Sequence, residues 1–188
     1  MTSSWPIREL TSNFATISAV SKPILYLFIG YPGAGKTTVA KIIAQATGAV
    51  HLWADVERHK LFEQPTHSEA ESLQLYDRLN REAGELLVAG RSVAFDTNFN
   101  HYADRQILRD IAARSGAETK LIWITLPKER ARERAVNHPH IRNGYKVSMS
   151  EERFESIVSK LEPPQKDEKF IKIEGTKLDK PAVLALFS

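Results

Sequence analysis

Short, mostly apolar runs alternate along the chain with longer segments in which apolar residues recur every three or four positions. The short runs are typical of buried strands, and the longer segments are typical of amphipathic helices. This alternation predicts a parallel sheet covered by helices on both faces. The predicted strands are 24–29, 49–54, 92–95, 120–126 and 170–173; the predicted helices are 36–47, 57–62, 68–90, 102–114, a charged helix that carries Arg130, Arg132 and Arg134, 148–161 and 181–187.

The 188 residues fit one domain with a substantial core. Residues 24–188 form this predicted domain, and residues 1–23 form an N-terminal extension. Leu10, Phe14, Ile17 and Val20 have near-helical spacing within the extension. Both a short packed helix and a disordered leader are compatible with this pattern.

The first strand leads directly into a glycine-rich turn. The turn reads Gly-Tyr-Pro-Gly-Ala-Gly-Lys-Thr and matches the G-x-x-x-x-G-K-[ST] phosphate loop. Its glycines let backbone N–H groups converge on an anion, and the following helix directs its positive end there. Lys36 can reach the β- and γ-phosphates, and the Thr37 hydroxyl can ligate Mg²⁺. We therefore expect the chain to bind a nucleoside triphosphate through Gly30, Tyr31, Pro32, Gly33, Ala34, Gly35, Lys36, Thr37 and Thr38.

Charge and composition exclude only a few classes of function. The 26 basic and 23 acidic side chains give a net charge of +3, which is too small to indicate nucleic-acid binding by itself. The absence of cysteine excludes disulfides and thiolate chemistry. No apolar run is long enough for a membrane span, and no secretion signal is recognisable. We expect a cytoplasmic protein without a membrane partner.

Two aspartates follow predicted strands. Asp55 comes after the second strand and Asp96 after the third, and ligands of open α/β sheets bind beyond such strand ends. A carboxylate there can accept a proton from a substrate hydroxyl or organise Mg²⁺ and its waters. Each aspartate alone could instead cap a helix. Their position beside a phosphate loop favours the functional interpretation.

These residues carry a resemblance to a known family. The segment Asp55-Val56-Glu57-Arg58 resembles the D-x-x-R segment of a group of P-loop kinases that includes the phage-type 5′-hydroxyl polynucleotide kinases. Asp96-Thr97-Asn98 is similar to the same group's D-T-N ending of the third strand. The resemblance spans roughly 24–173 and implies a P-loop NTPase fold: five parallel strands in the kinase-type order 2-3-1-4-5, helices on both faces, and an arginine-bearing lid at about 128–149.

The resemblance also implies roles for the matching residues. Asp55 would be the general base on the acceptor hydroxyl, and Arg58 would hold the acceptor's phosphate or another anion. Asp96 would support Mg²⁺ together with Thr37. Arg142 and Arg134 would contact the donor phosphates as charge moves to the leaving group.

Two segments near the lid carry further expectations. Residues 138–147 are expected to be irregular because they contain Pro139 and Gly144. Ser148 and Glu151 match a capping box that would open the next helix.

The segment Thr176-Lys177-Leu178-Asp179 allows two interpretations. It resembles the [NT]-K-x-D guanine-recognition signature of GTPases. Asp179 followed by Pro181 also reads as the N-cap and first turn of a helix. The D-x-x-G motif of GTPases is missing, because Phe99 stands where the glycine would be. The helix cap is therefore favoured.

The sequence thus predicts a Mg²⁺-dependent kinase that transfers the γ-phosphoryl of ATP to a hydroxyl. The acceptor is a nucleic-acid 5′ end or a small molecule, and the residues do not decide between them. The alternatives are a regulatory ATPase or GTPase without an acceptor, and a toxin or antibiotic-modifying kinase.

Overall fold

A computed structural model describes residues 21–137, 140–142, 145–147 and 149–187, and within 140–142 and 145–147 it describes the backbone alone. The proposed helix or leader within the first 20 residues lies outside this range. The elements in chain order are β1 (Ile24–Ile29), α1 (Lys36–Thr47), β2 (Val50–Trp53), α2 (Ala54–Leu61), α3 (Glu69–Val88), β3 (Val93–Asp96), α4 (Tyr102–Arg114), β4 (Glu118–Thr125), α5 (Lys128–Arg132), a π-helical turn (Glu133–Asn137), β5 (His140–Arg142), β6 (Tyr145–Val147), α6 (Glu151–Ser159), β7 (Phe170–Glu174), α7 (Lys180–Leu184) and a 3₁₀ turn (Ala185–Phe187).

The main sheet has five parallel strands in the order β2-β3-β1-β4-β7. Counted along the chain within this sheet, the order is 2-3-1-4-5, so the predicted P-loop NTPase fold of kinase type is confirmed. The central strand β1 carries the phosphate loop at its carboxyl end, and β3 beside it ends at Asp96. This arrangement places both motifs at one edge of the sheet.

The core consists of two clusters, one on each face of the sheet. Alternate residues of β1 point to opposite faces, so Leu25 and Leu27 pack with α3 and α4 while Tyr26 and Phe28 pack with α1 and α7. All four side chains are buried. The apolar run that begins the chain's most specific motif is therefore also the centre of its core.

Several predicted helix boundaries agree with the structure. Helix α1 covers 36–47 and ends at Gly48, whose N–H donates to the Ala44 carbonyl. Ser68 caps α3, because its hydroxyl accepts from the Glu71 N–H. Helix α4 begins and ends at the predicted residues, Tyr102 and Arg114.

Three local predictions were wrong. The second strand ends at Trp53, and α2 starts at Ala54, so Asp55 lies in a helical first turn where its charge suits the positive helix end. Residues 140–142 and 145–147 pair as the antiparallel strands β5 and β6, so these two parts of the segment are not irregular. The N-cap of α6 is Ser150, not Ser148: its hydroxyl accepts from the Arg153 N–H.

The helices of the described ranges were also tested as membrane spans. None is both long enough and apolar enough to cross a bilayer.

Candidate active site

The turn between β1 and α1 is shaped to receive an anion. Gly33 (φ +80°) and Gly35 (φ +109°) have left-handed backbones, which glycine adopts without strain. A Cβ on Gly33 would collide with the Ala131 carbonyl, and one on Gly35 would collide with the Leu178 side chain. Gly35 is also the N-cap of α1, so the loop and the positive end of the helix meet at one place.

Lys36 lies over this loop. Its Nζ donates to the Gly30 carbonyl at 2.8 Å and to the Tyr31 carbonyl at 3.0 Å. These contacts hold the ammonium group beside the turn where a triphosphate would bind. The cradle and its cation fit a nucleotide phosphate chain.

Thr37 contacts the aspartate at the end of β3. The Thr37 hydroxyl donates to Asp96 Oδ1 at 3.3 Å, although the two residues are 59 positions apart in sequence. Asp96 is only 3% exposed. The two oxygen-bearing side chains predicted to support Mg²⁺ are therefore in contact.

These two side chains fit a magnesium ion that also binds phosphate. Mg²⁺ prefers oxygen ligands and is usually held by one or two protein groups, substrate phosphates and water. Within the part of the chain that the structure describes, no group of three or more His, Cys, Asp or Glu side chains could form an all-protein metal cage. Thr37 and Asp96 would thus share the ion with the nucleotide.

Asp55 lines the same cleft as the phosphate loop. The cleft has a volume of about 660 Å³, and its walls include Lys36, Thr37, Asp55 and Asp96. The Asp55 side chain is exposed in the first turn of α2. A carboxylate that is exposed in the same cleft as a triphosphate site can take the proton of a bound hydroxyl group.

Arg58 lies one helical turn after Asp55 and is 5% exposed. It donates to Glu71 Oε2 at 3.4 Å and to the Ser72 hydroxyl at 3.2 Å, both on α3. It also lines the cleft. Contacts within the protein therefore fix the orientation of the Arg58 side chain at the wall of the cleft.

Glu71 organises the loop that borders this part of the cleft. The Thr66 N–H, then the Thr66 hydroxyl, the His67 N–H and the Arg58 charge outweigh the opposing effect of desolvation and hold the pKa of Glu71 below its ordinary value. His67, with φ +57°, lines the cleft. Partial desolvation, then the Arg153 and Arg58 charges, lower the pKa of His67, which favours a neutral imidazole at pH 7.

The turn after Asp96 is tied to two other parts of the chain. The Tyr76 hydroxyl lies 2.8 Å from the Thr97 hydroxyl, and both line the cleft. Arg105 is completely buried, donates to the carbonyls of Phe99 and Asn100, and forms a two-bond ion pair with Glu168. The predicted D-T-N ending thus rests on a buried charged network.

Of the two arginines assigned to the lid, the structure describes the side chain of Arg134 and only the backbone of Arg142. Arg134 lies in the π-helical turn, lines the cleft and donates to the Gly175 carbonyl at 2.9 Å. Exposed Arg132 pairs with Glu151 at 3.2 Å. Arg142 belongs to β5, but its side chain lies outside the described part, so its role stays a prediction.

Asp179 caps α7. Its Oδ1 accepts from the Ala182 N–H at 2.9 Å, and Pro181 lies in the first turn. The helix-cap interpretation of this segment is confirmed. Leu178 just before it packs on Gly35 and lines the cleft.

We expect Asp179→Ala to lower the free energy of unfolding by about 1 kcal/mol, because the last helix loses its cap. Base preference should not change, because the carboxylate is engaged with the backbone. Competition of GTP and ATP for binding to the wild type and the variant measures this. A strong GTP preference that disappears in the variant would restore the guanine-recognition interpretation.

Four residues of this region were missed by sequence reasoning: His51, Glu71 as a loop clamp, Tyr76 and Arg105. Arg105 had a signal, since it shares the buried stripe of α4 with Leu108 and Ala112 at positions i, i+3 and i+7. His51 had none, because its contact with Asp96 depends on the pairing of β2 with β3.

Comparisons with known proteins identify the family and the fold of the chain. An AAA-domain family model (AAA_33) matches residues 25–164, and the chain belongs to this family. No curated protein matched the sequence. The resemblance to P-loop kinases is thereby confirmed at the level of family and fold.

Solved structures share the fold at low identity. A sugar kinase from Janibacter sp. HTCC2649 is 16% identical, with 88% of this chain and 91% of that chain covered and a TM-score of 0.61. The Mycobacterium tuberculosis APS kinase CysC is 18% identical, with 88% and 98% covered and a TM-score of 0.62. A chain of the Pnkp1/Rnl/Hen1 RNA repair complex is 19% identical, with 74% and 44% covered and a TM-score of 0.59. At these identities the likeness concerns the fold alone.

Proposed function

We propose that the protein is a Mg²⁺-dependent kinase that transfers the γ-phosphoryl group of ATP to a hydroxyl. One observation carries the proposal: a phosphate loop with Lys36 shares its cleft with the exposed carboxylate of Asp55. A regulatory ATPase without an acceptor would need a residue that positions the attacking water in the place of Asp55. The family and the kinases of similar fold support the same class of reaction.

In the proposed reaction the acceptor hydroxyl oxygen attacks the γ-phosphorus in line with the β–γ bridging oxygen. Asp55 takes the hydroxyl proton, the bond from phosphorus to the bridging oxygen breaks, and the products are ADP and a phosphate ester. Lys36 stabilises the negative charge that moves to the leaving group. Arg134 and Arg142 stabilise the same charge from the segment 128–149, which we assign as a lid. Mg²⁺, supported by Thr37 and Asp96, would neutralise phosphate charge.

The acceptor belongs to one of several classes. The kinases of similar fold include one named for sugars and one for APS, and another chain belongs to an RNA repair complex. A screen with labelled ATP should therefore include 5′-hydroxyl oligonucleotides, nucleosides, sugars and hydroxyl-bearing antibiotics. Label transfer to any of them supports a kinase, whereas hydrolysis alone, with every acceptor inert, would favour the regulatory ATPase. The cytoplasmic location stays a prediction.

We expect Asp55→Asn to lower transfer to an accepted substrate by roughly 10²-fold, because the amide keeps the shape but cannot take the proton. Affinity for Mg·ATP should stay close to that of the wild type. Single-turnover transfer and calorimetric ATP binding measure the two effects separately. Asp77→Asn on the exposed surface of α3 is the matched control. If ATP binding collapses together with transfer, Asp55 organises the metal and is not the general base.

A further inference from the structure

Both oxygens of the Asp96 carboxylate have partners from other elements. Oδ1 accepts from Thr37 at the start of α1, and Oδ2 lies 3.1 Å from Nε2 of His51 on β2. The His51 side chain is 19% exposed and that of Asp96 is 3% exposed. A carboxylate held at both oxygens has little freedom to rotate.

The chemistry of the pair fixes the direction of the hydrogen bond. An ionised carboxylate only accepts, so the hydrogen must be on Nε2 of His51. In a neutral imidazole this leaves Nδ1 unprotonated. His51 thus acts on Asp96 as a hydrogen-bond donor through Nε2.

The position of His51 is itself secured by packing. His51 pairs with Ala94 and Trp53 pairs with Asp96 across the β2–β3 ladder, so His51, Trp53 and Asp96 lie on the same face of the sheet. The imidazole stacks on the Trp53 ring, with centroids 5.4 Å apart and planes 18° apart. Lys41 Nζ lies 4.4 Å from the Trp53 centroid. The ring cannot turn away from Asp96 without losing this stack.

We propose that His51 is a positioning residue for the magnesium that accompanies the nucleotide: by holding Oδ2 of Asp96, it directs Oδ1 to the Thr37 hydroxyl and the ion. The inference rests on the Mg²⁺ assignment of the proposed function, but it concerns Mg·ATP binding and not the acceptor. Hydrogen-bond partners of metal-supporting groups commonly change metal affinity or activity 10- to 100-fold. Without His51, Asp96 would have a buried oxygen with no donor and would reorient.

Two substitutions separate the donor from the ring. His51→Phe keeps a planar ring on Trp53 and removes the donor, whereas His51→Gln places an amide N–H near the former Nε2. ATP affinity is measured by calorimetry, first in excess EDTA and then at increasing Mg²⁺ concentrations. The second series gives the Mg²⁺ concentration at which half of the total change in ATP affinity is reached. His59→Phe, on α2, is the control for loss of a histidine elsewhere.

For His51→Phe we expect unchanged ATP affinity in EDTA and a requirement for about 10-fold more Mg²⁺. His51→Gln should recover most of the difference, and His59→Phe should match the wild type. Thermal unfolding verifies folding; if the Phe variant does not fold, His51→Asn, whose amide is too short to reach Asp96, replaces it.

Equal losses of ATP affinity in EDTA and in Mg²⁺ would show that the His51–Asp96 pair only supports the local fold. No change under either condition would show that the pair has no effect on nucleotide binding. Either result overturns the proposal. Failure to find a phosphate acceptor would contradict the proposed kinase but would leave these binding measurements intact.

Discussion

Lys36→Ala should lower the rate of phosphoryl transfer by roughly 30- to 900-fold while leaving the fold intact. The carbonyls of Gly30 and Tyr31 hold the Lys36 ammonium over the phosphate loop. In the proposed reaction, the charge of the β- and γ-phosphates would develop beside it. Removing such a charge costs on the order of 2–4 kcal/mol at the transition state, or roughly 30- to 900-fold in rate. Rates of γ-phosphoryl transfer and affinity for Mg·ATP, measured on the same preparation, give the result.

Lys60→Ala is the matched control, because that lysine is exposed on α2 and pairs with the nearby Glu57. It should keep the wild-type rate, since surface ion pairs contribute little. If Lys36→Ala leaves both ATP binding and turnover unchanged, the loop does not bind a triphosphate, and the proposed function fails with it.

The phosphate loop was predictable because its signal is local, whereas the strand order was taken from the resemblance to P-loop kinases. Six apolar residues, three glycines and a lysine in a fixed spacing specify a strand, a turn and a helix without any information from distant residues. Alternation of strands and helices then leaves few parallel topologies. Gly33 and Gly35 have the left-handed backbone that the motif requires.

The partners of the site residues could not be predicted in the same way. Thr37 contacts Asp96 over 59 positions and His51 contacts Asp96 over 45, so both contacts depend on the register between strands. The prediction placed Asp55 after the end of a strand, whereas it lies in the first turn of α2. The four-residue strand β2 passes directly into α2, and residue propensities do not define such a boundary. The role of Arg58 was taken from a motif, but its contacts with Glu71 and Ser72 come from the packing of α2 on α3.

Arg105→Met should lower the free energy of unfolding more than the other substitutions proposed for this protein. The Arg105 side chain is 0% exposed and that of Glu168 is 1% exposed, and their two hydrogen bonds are 2.8 and 2.7 Å long. Removing one partner of a buried ion pair leaves an uncompensated charge and typically costs 3–5 kcal/mol. For a chain of this size that loss corresponds to roughly 6–20 °C in melting temperature. Arg109→Met, which breaks a half-exposed pair with Asp167, is the control and should cost much less.

The same pair predicts a dependence on pH. Burial raises the pKa of Glu168, but the hydrogen bonds from Arg105 and from the Gln165 N–H, with the Arg105 and Arg109 charges, outweigh it and hold the pKa below its ordinary value. A depressed carboxyl pKa gives stability that is complete above the unfolded-state pKa and is lost as pH falls through the folded-state value. Melting temperatures measured from neutral pH down through the carboxyl range should therefore fall less steeply for Glu168→Gln than for the wild type, from a lower starting value. Parallel curves would show that Glu168 has the same pKa in the folded and unfolded states, which would contradict stabilisation of its ionised form by Arg105.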